Sequence, residues 1–494
     1  MENTARKLVT LEQAKVVGHI QLEPQRRPAC SAPVPEALLP TDSAFLCDYS
    51  GFAVTNSQLC REHSRVINEI IALQAEKRWQ DIIELFHPVT DKLPELVAAG
   101  MEIDVRSKVA FALVRLHRAE EAIGTLLPAA ERQPEDAMIH YTIGYAALDE
   151  LFTAKTERRI IPGKRKTELI DLAHTHFVAA RALRPDSVTF CYREAILCKE
   201  IEGKAKLAIP LFEQAIANWE QQSPLEQEHR HQQRPKYIKS LYHLASCLLE
   251  VGRASQSLVL LERMEQEDRD RKFLHPLFRH FAFGKVLHAL QRHREALEHL
   301  ETAGHVAQPN QPTDFVWELA GRCALHLQQV ERASGYIARV PANRRRPYVR
   351  WTEADILAAS GKVGEALQVL QQCSERDKRS RHVSLIRMSR LLLGQHRYDH
   401  ALGAAVQAVR FCEETYGNPA KEAQFWQAAS LHLLGRDKES QEILIALEDG
   451  HFQYPHFRRL IDAVRLALSA SSADGTQKTV HTERTCHDDA AVNQ

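Results

Sequence analysis

The sequence predicts an all-α protein made of helical hairpins stacked in series. The clearest unit is Phe281–Ala303, FAFGKVLHALQRHREALEHLETA, in which Gly284 is followed twelve residues later by Ala296, then by Leu300 and Ala303. On two helices joined by a turn at Gln291–Arg294, this spacing sets a small residue opposite a small-large-small face. Small residues let two helix backbones approach closely, and the larger apolar one fills the space between successive hairpins. The second observation is that the pattern recurs down most of the chain. A length of 494 residues would otherwise suggest roughly three globular domains of about 150 residues each. In a repeat array each unit instead buries its apolar face against its neighbours.

With Gly284, Ala296, Leu300 and Ala303 so placed, the unit resembles the tetratricopeptide repeat. The resemblance implies a right-handed α-solenoid of about ten TPR-like hairpins. Taking the family's small residue at the start of the second helix as a marker, the hairpins fall at Ile82, Ala122, Ala173, Ala208, Ser257, Ala296, Ala333, Ala366, Ala401 and Ser440. The ideal spacing is about 34 residues, and the two longest gaps, 51 and 49 residues, hold insertions near 150–170 and 221–236. The first is expected as an extended turn inside the third hairpin, the second as a connection between the fourth and fifth. Ala173, Phe177, Ala180 and Pro185 match the second half of the family pattern at every position, and Trp317, Ala320 and Gly321 match the first half. Gly252, Gly361 and Gly435 fall just past expected first helices, where a left-handed residue ends a helix cheaply.

Both ends depart from the repeat. Residues 1–62 read as a Pro-rich arm, because Pro24, Pro28, Pro33, Pro35 and Pro40 interrupt helix formation. The array is expected over 63–454, its first helix starting near His63. Ile82 and Val89 stand where small residues belong in the first hairpin, as suits a terminal repeat that caps the stack. Phe457, Leu460, Ile461, Val464 and Leu468 recur at helical spacing and predict a C-terminal capping helix over 455–468. Residues 469–494 are polar and aperiodic, and are expected to be disordered.

The 64 basic and 64 acidic side chains balance, which excludes a global attraction to nucleic acid or membrane and leaves only local patches. Ten Cys without a short-range pairing framework read as reduced, mostly buried thiols. The first twenty residues lack an apolar core, and nowhere do the ~18 apolar residues of a membrane span run together. A soluble, cytoplasmic protein is expected.

Four sets of residues carry candidate chemistry. Cys30, Cys47, Cys60 and His63 offer zinc-ligand types, but no C-x2-C pair preorganises them, and unlinked thiols in an arm are the plainer reading. The stretch 155–168 is rich in cations: Lys155, Arg158, Arg159, Lys164, Arg165 and Lys166 face only Glu157 and Glu168. It lacks the second Gly of a phosphate loop, and reads as a solvated loop or a contact for an anionic partner. Arg344, Arg345, Arg346 and Arg350 lie on one inter-hairpin connection, and Arg376, Lys378, Arg379 and Arg381 on the next. Stacked side by side, they would form a basic edge able to meet phosphates.

The fourth set follows from the resemblance, which implies that first helices line a concave groove for a peptide or extended segment. By register, Phe281, Lys285, His288, Arg322, His326, Trp351, Asp355, Arg387, Arg390 and Trp426 would face it. Inter-repeat packing competes as a reading for each aromatic, and is preferred for Trp317. Of the Lys and Asn positions that clamp a C-terminal carboxylate in chaperone-binding members, only Asn68 is matched. No catalytic spacing stands out, and no cofactor is implied. The sequence therefore predicts a non-enzymatic scaffold or adaptor that binds a protein segment in its groove. The alternative is a nucleic-acid-associated or regulatory protein using the basic edge. Oligomeric state is left open.

Overall fold

The computed structural model describes residues 46–270, 273–309 and 311–470. Among these residues every regular element is helical, and the helices follow one another as hairpins of the tetratricopeptide type. Residues 1–45 of the expected arm (1–62) and 471–494 of the expected tail (469–494) lie outside the described residues.

The chain divides into two compact units, the first ending at Leu290 and the second starting at Gln291. The division falls in the turn of the Phe281–Ala303 stretch, so its two helices belong to different units. In the first unit the helices are α1 (Leu46–Ala75), α2 (Trp79–Phe86), α3 (Val89–Lys92), α4 (Pro94–Ala98), α5 (Ile103–Arg115), α6 (Ala119–Arg132) and α7 (Ala137–Glu157). They continue with α8 (Gly163–Leu183), α9 (Val188–Ile196), α10 (Ala205–Glu220), α11 (Pro224–His229), α12 (Arg234–Glu250), α13 (Ala254–Glu267) and α14 (Pro276–Ala289). A π turn, Leu197–Ile201, extends α9. In the second unit they are α15 (His293–His305), α16 (Asp314–His326), α17 (Val330–Ala338), α18 (Pro347–Ala359), α19 (Val363–Arg376), α20 (Arg381–Gly394), α21 (Tyr398–Tyr416), α22 (Lys421–Leu433) and α23 (Asp437–Asp449), followed by α24 over 457–470.

The small residues do the packing expected of them. A Cβ added at Gly321 on α16 would stand 3.3 Å from Ile337 and 3.6 Å from the Ala333 carbonyl on α17, and one at Gly144 on α7 would meet the Phe177 ring of α8 at 2.9 Å. Marker residues Ala122, Ala173, Ala208, Ala333, Ala366 and Ala401 are fully buried. Where the marker is serine, its hydroxyl finds a partner across the hairpin: Ser257 donates to the Ala245 carbonyl and Ser440 to that of Ala428. Gly252, Gly361 and Gly435 have positive φ, as expected. So do Lys77, His117, Gln291, Gln328 and His396 at the equivalent turn positions, five residues ahead of a marker in each case. Trp317 packs inside its own unit, stacked on Tyr336 at 6.1 Å, with the position of a Gly304 Cβ only 2.1 Å from its ring.

Three boundaries differ from the sequence reading. The first described helix, Leu46–Ala75, already includes the residues ahead of His63, with no proline between Pro40 and Pro88 to interrupt it. The segment 150–170 is helix for most of its length: α7 and α8 have 21 residues each, and the turn shrinks to 158–162. Leu151 and Ala154 continue the buried face of α7, which makes extending the helix more favourable than forming a loop. The segment 221–236 contains α11, whose Ser223 and Glu226 form a capping box, and α12 already starts at Arg234. At the C-terminal end, Phe457, Ile461 and Val464 of α24 pack on Phe425, Ala428, Leu444 and Leu447, closing the last apolar face.

Candidate functional site on the first helices

In the second unit, first helices α16, α18, α20 and α22 lie in sequence, α16 against α18, α18 against α20 and α20 against α22. Their side chains join across those contacts. Thr352 on α18 donates to Glu318 on α16 at 2.7 Å, and Arg322 sits 3.9 Å from the same carboxylate oxygen. Burial pushes the Glu318 carboxyl above its ordinary range, against the opposing pull of Arg322 and Thr352. Arg387 on α20 pairs with Asp355 on α18, and its guanidinium lies 5.9 Å from the Trp351 ring. Arg390 stands 5.8 Å over Trp426 on α22, which leans edge-on against Phe425 and Tyr454. His326 stacks on His293 with ring centroids 4.5 Å apart.

This ladder separates the expected groove residues. Trp351 is buried, its indole N–H donating to Ser384 at 2.8 Å, so it packs between hairpins and does not face a groove. Phe281 in the first unit is buried for the same reason: an aromatic at that register is the size that fills the gap between first helices. Arg322, Asp355, Arg387 and Trp426 are half-buried, while His326 and Arg390 are exposed. Lys285 and His288 of α14 are half-buried, and Lys285 lines a recess with Lys199, Glu200, Tyr242 and Phe281.

The basic edge separates too. Arg345 donates to Glu353 and to the Val340 and Ile337 carbonyls, Arg346 pairs with Asp314, and Arg350 with Glu353. These three are half-buried and hold their own connection together, because the carboxylates lie within reach on α16 and α18. Arg344, Arg376, Lys378, Arg379 and Arg381 are exposed. Three of the six cations of 155–168 are engaged, Lys155 with Glu200, Arg159 with Glu150, and Arg165 with Glu120 and Glu168, while Arg158, Lys164 and Lys166 are exposed. Of the zinc candidates, Cys30 and the Cys47 side chain lie outside the described residues. Cys60 is exposed, and His63 stands 3.8 Å from Asp104.

The sequence reading missed a cluster on the first helices of the first unit. Arg193 on α9, Lys199 in the π turn, and Lys236 and Lys239 on α12 are all buried. Arg193 lies 4.6 Å from the Tyr145 ring of α7 and 5.8 Å from that of Tyr192, and its Nε has no hydrogen-bond partner. Lys199 is held by Glu200 at 2.8 Å and by the His243 ring at 2.9 Å. Burial, then Arg193 and Lys239, pull the Lys236 amine down to about 7, and burial, then Arg193, pulls Lys239 to about 8. Burial, reinforced by Lys199 and Lys239, likewise keeps His243 neutral. No spacing rule marks such residues, and Lys236 lies in the 221–236 stretch that reads in sequence as a connection. Cations at the period of an otherwise apolar helix face were the only signal.

Nearby, His174, Cys198 and Glu202 bring three metal-ligand types together. Burial lifts the Cys198 thiol to about 12, and His174 and Lys204 already share Glu202, so a hydrogen-bonded helix end accounts for the group.

No protein-family model matches the chain, and no curated protein does. Solved structures resemble it at low identity. A tetratricopeptide repeat protein from Parabacteroides merdae is 12% identical, with 56% of this chain and 99% of that one covered at a TM-score of 0.41. Yeast Tom70 is 10% identical, over 88% and 99% of the two chains, with a TM-score of 0.39. The APC/C hetero-tetramer Cut9–Hcn1 gives 12% identity, 85% and 88% coverage, and a TM-score of 0.40.

Proposed function

We propose that this chain is a helical-repeat scaffold that recognises an extended segment of a partner protein along the first-helix face of its second unit. The observation that carries the reading is the ladder from Glu318 to Trp426. Helix faces that served only to pack would be apolar, whereas these four first helices present Arg322, His326, Asp355, Arg387 and Arg390 beside a half-buried Trp426. Arg and aromatic side chains are the groups that dominate binding energy at interfaces. Ion pairs within the ladder hold the long side chains in place, which lowers the entropy lost on binding. The buried free thiols at Cys191, Cys198, Cys373 and Cys412 suit a reducing, cytoplasmic setting. No helix among the described residues is long and apolar enough to cross a membrane.

The test compares proteins captured by the full chain and by an Arg322→Ala/Arg390→Ala variant, quantified by mass spectrometry, with helicity monitored by circular dichroism. Partners lost from the variant at unchanged helicity support the reading, and identical capture by both proteins sinks it.

A second reading rests on Arg344, Arg376, Lys378, Arg379 and Arg381, which are exposed and make no ion pair among the described residues. Such a set would bind nucleic acid with an affinity that falls steeply with salt. Neutralising Arg376, Lys378 and Arg379 should flatten that slope; a slope unchanged by the triple variant rules the reading out.

A further inference from the structure

Elsewhere in the first unit the protein pairs its buried cations. Fully buried Arg279 has Asp268 at 2.5 Å, and the buried Lys199 side chain has Glu200 at 2.8 Å. Lys236 and Lys239 break the pattern. They are 9% and 8% exposed, and neither has an ion-pair partner among the described residues. Among the described residues the only hydrogen bond from Lys236 is a long one, 3.4 Å, to the Gln232 carbonyl. Arg193, the third cation of the group, rests on tyrosine faces and leaves its Nε unsatisfied. The nearby carboxylates are committed elsewhere, Asp149 to His117 at 2.9 Å and Glu200 to Lys199 and Lys155.

Burying an uncompensated charge is strongly unfavourable, and three of like sign in one place more so. Helix α9 packs against α12, and the cations come from those two helices, with Tyr145 of α7 beneath Arg193. The π turn follows directly on α9, and such turns occur frequently at functional sites.

We infer that Arg193, Lys236 and Lys239 form the binding site for a small phosphate-class anion, reached from the first-helix face of the first unit. The charge count favours a phosphoryl dianion over a single carboxylate. Two flexible ammonium groups and one planar guanidinium are the donors that surround phosphate oxygens elsewhere in proteins. The depressed amines also mean that binding at pH 8 takes up protons, since the occupied site holds both lysines charged. Groups facing the site are the phenols of Tyr141, Tyr145 and Tyr192, the neutral His243, and the pairs Asp149–His117 and Glu200–Lys199.

Titration calorimetry of the full chain in phosphate-free buffer at pH 7 tests this, with inorganic phosphate, pyrophosphate and, at matched ionic strength, acetate. Saturable binding of phosphate or pyrophosphate is expected, weakened roughly tenfold or more by either Lys236→Met or Lys239→Met and unaffected by Lys206→Met at an exposed site. Both variants remove an unpaired buried charge, so folding is not at risk. The absence of saturable binding overturns the assignment. So does equal affinity in the Lys236 and Lys239 variants, or acetate binding as tightly as phosphate.

Discussion

Ser257 donates its hydroxyl hydrogen to the carbonyl oxygen of Ala245 at 2.6 Å, tying the second helix of its hairpin to the first across twelve residues. Ser440 repeats the bond to Ala428 at 2.8 Å, and Ser389 makes it in the opposite direction, to Ala401 at 2.9 Å. All three hydroxyls are buried. Such bonds form only where two helix backbones come within reach of a one-carbon side chain. Ser257→Ala should therefore lose about 1 kcal/mol, and Ser257→Val should lose more by forcing the helices apart. Urea unfolding of the two variants measures both values; a valine variant as stable as wild type refutes the close approach.

Gly304 makes a sharper case. Any Cβ there would overlap the Trp317 ring, which is itself buried and stacked. Gly304→Ala should cost about 1–3 kcal/mol, the usual range for overpacking. It should also alter Trp317 fluorescence, because the ring must move. Unchanged emission and stability would contradict this packing.

Turn residues offer a change in the stabilising direction. Gln328 holds φ of 61° with a side chain, where Gly361 is also left-handed without one. A left-handed conformation costs a non-glycine residue roughly 1–2 kcal/mol, partly offset by glycine's greater freedom when unfolded. Gln328→Gly is expected to gain about 0.5–1 kcal/mol and Gly361→Ala to lose about 1. Thermal or urea midpoints moving in opposite directions would establish the pair.

The depressed amines of Lys236 and Lys239 set a pH dependence. Unfolded, each titrates near its ordinary value of 10.5; folded, they titrate at about 7 and 8. Between those limits the unfolded chain binds more protons, so stability rises with pH. The penalty is fully present below pH 7 and relieved toward pH 10. Relative to a Lys236→Met/Lys239→Met double variant, wild type should thus gain on the order of a few kcal/mol between pH 6.5 and 9.5, read from urea unfolding in phosphate-free buffer. A constant difference across that range would show that the amines are not buried.

The architecture was legible because packing imposes spacing: the twelve-residue step from Gly284 to Ala296 returns at 245/257, 321/333 and 428/440. Turn glycines were legible for the same reason. Helix length was not, since Leu151 and Ala154 look alike in a long helix and in a loop with an apolar face. Nor was the fate of individual charges. Arg344 and Arg345 are neighbours of one type, yet one is exposed and the other is anchored by Glu353, eight residues on. Trp351 and Phe425 stand fifteen residues ahead of their markers, Ala366 and Ser440, and both are buried; Trp426, one residue further on, is turned off that face and is half-buried. Lys236 and Lys239 were invisible because their meaning lies in what fails to stand beside them.

Side chains in the left-handed turns carry one more implication. Lys77, His117, Gln291, Gln328 and His396 each hold a small strain at the joint of a hairpin, where Gly252, Gly361 and Gly435 hold none. In a stack whose stability is a sum of local and nearest-neighbour terms, the joints act as independent set screws. Each fixes how readily its own hairpin opens, and each can be retuned by one substitution that leaves the packed faces untouched. Stiffness can therefore be graded along the chain while the packing between helices stays the same.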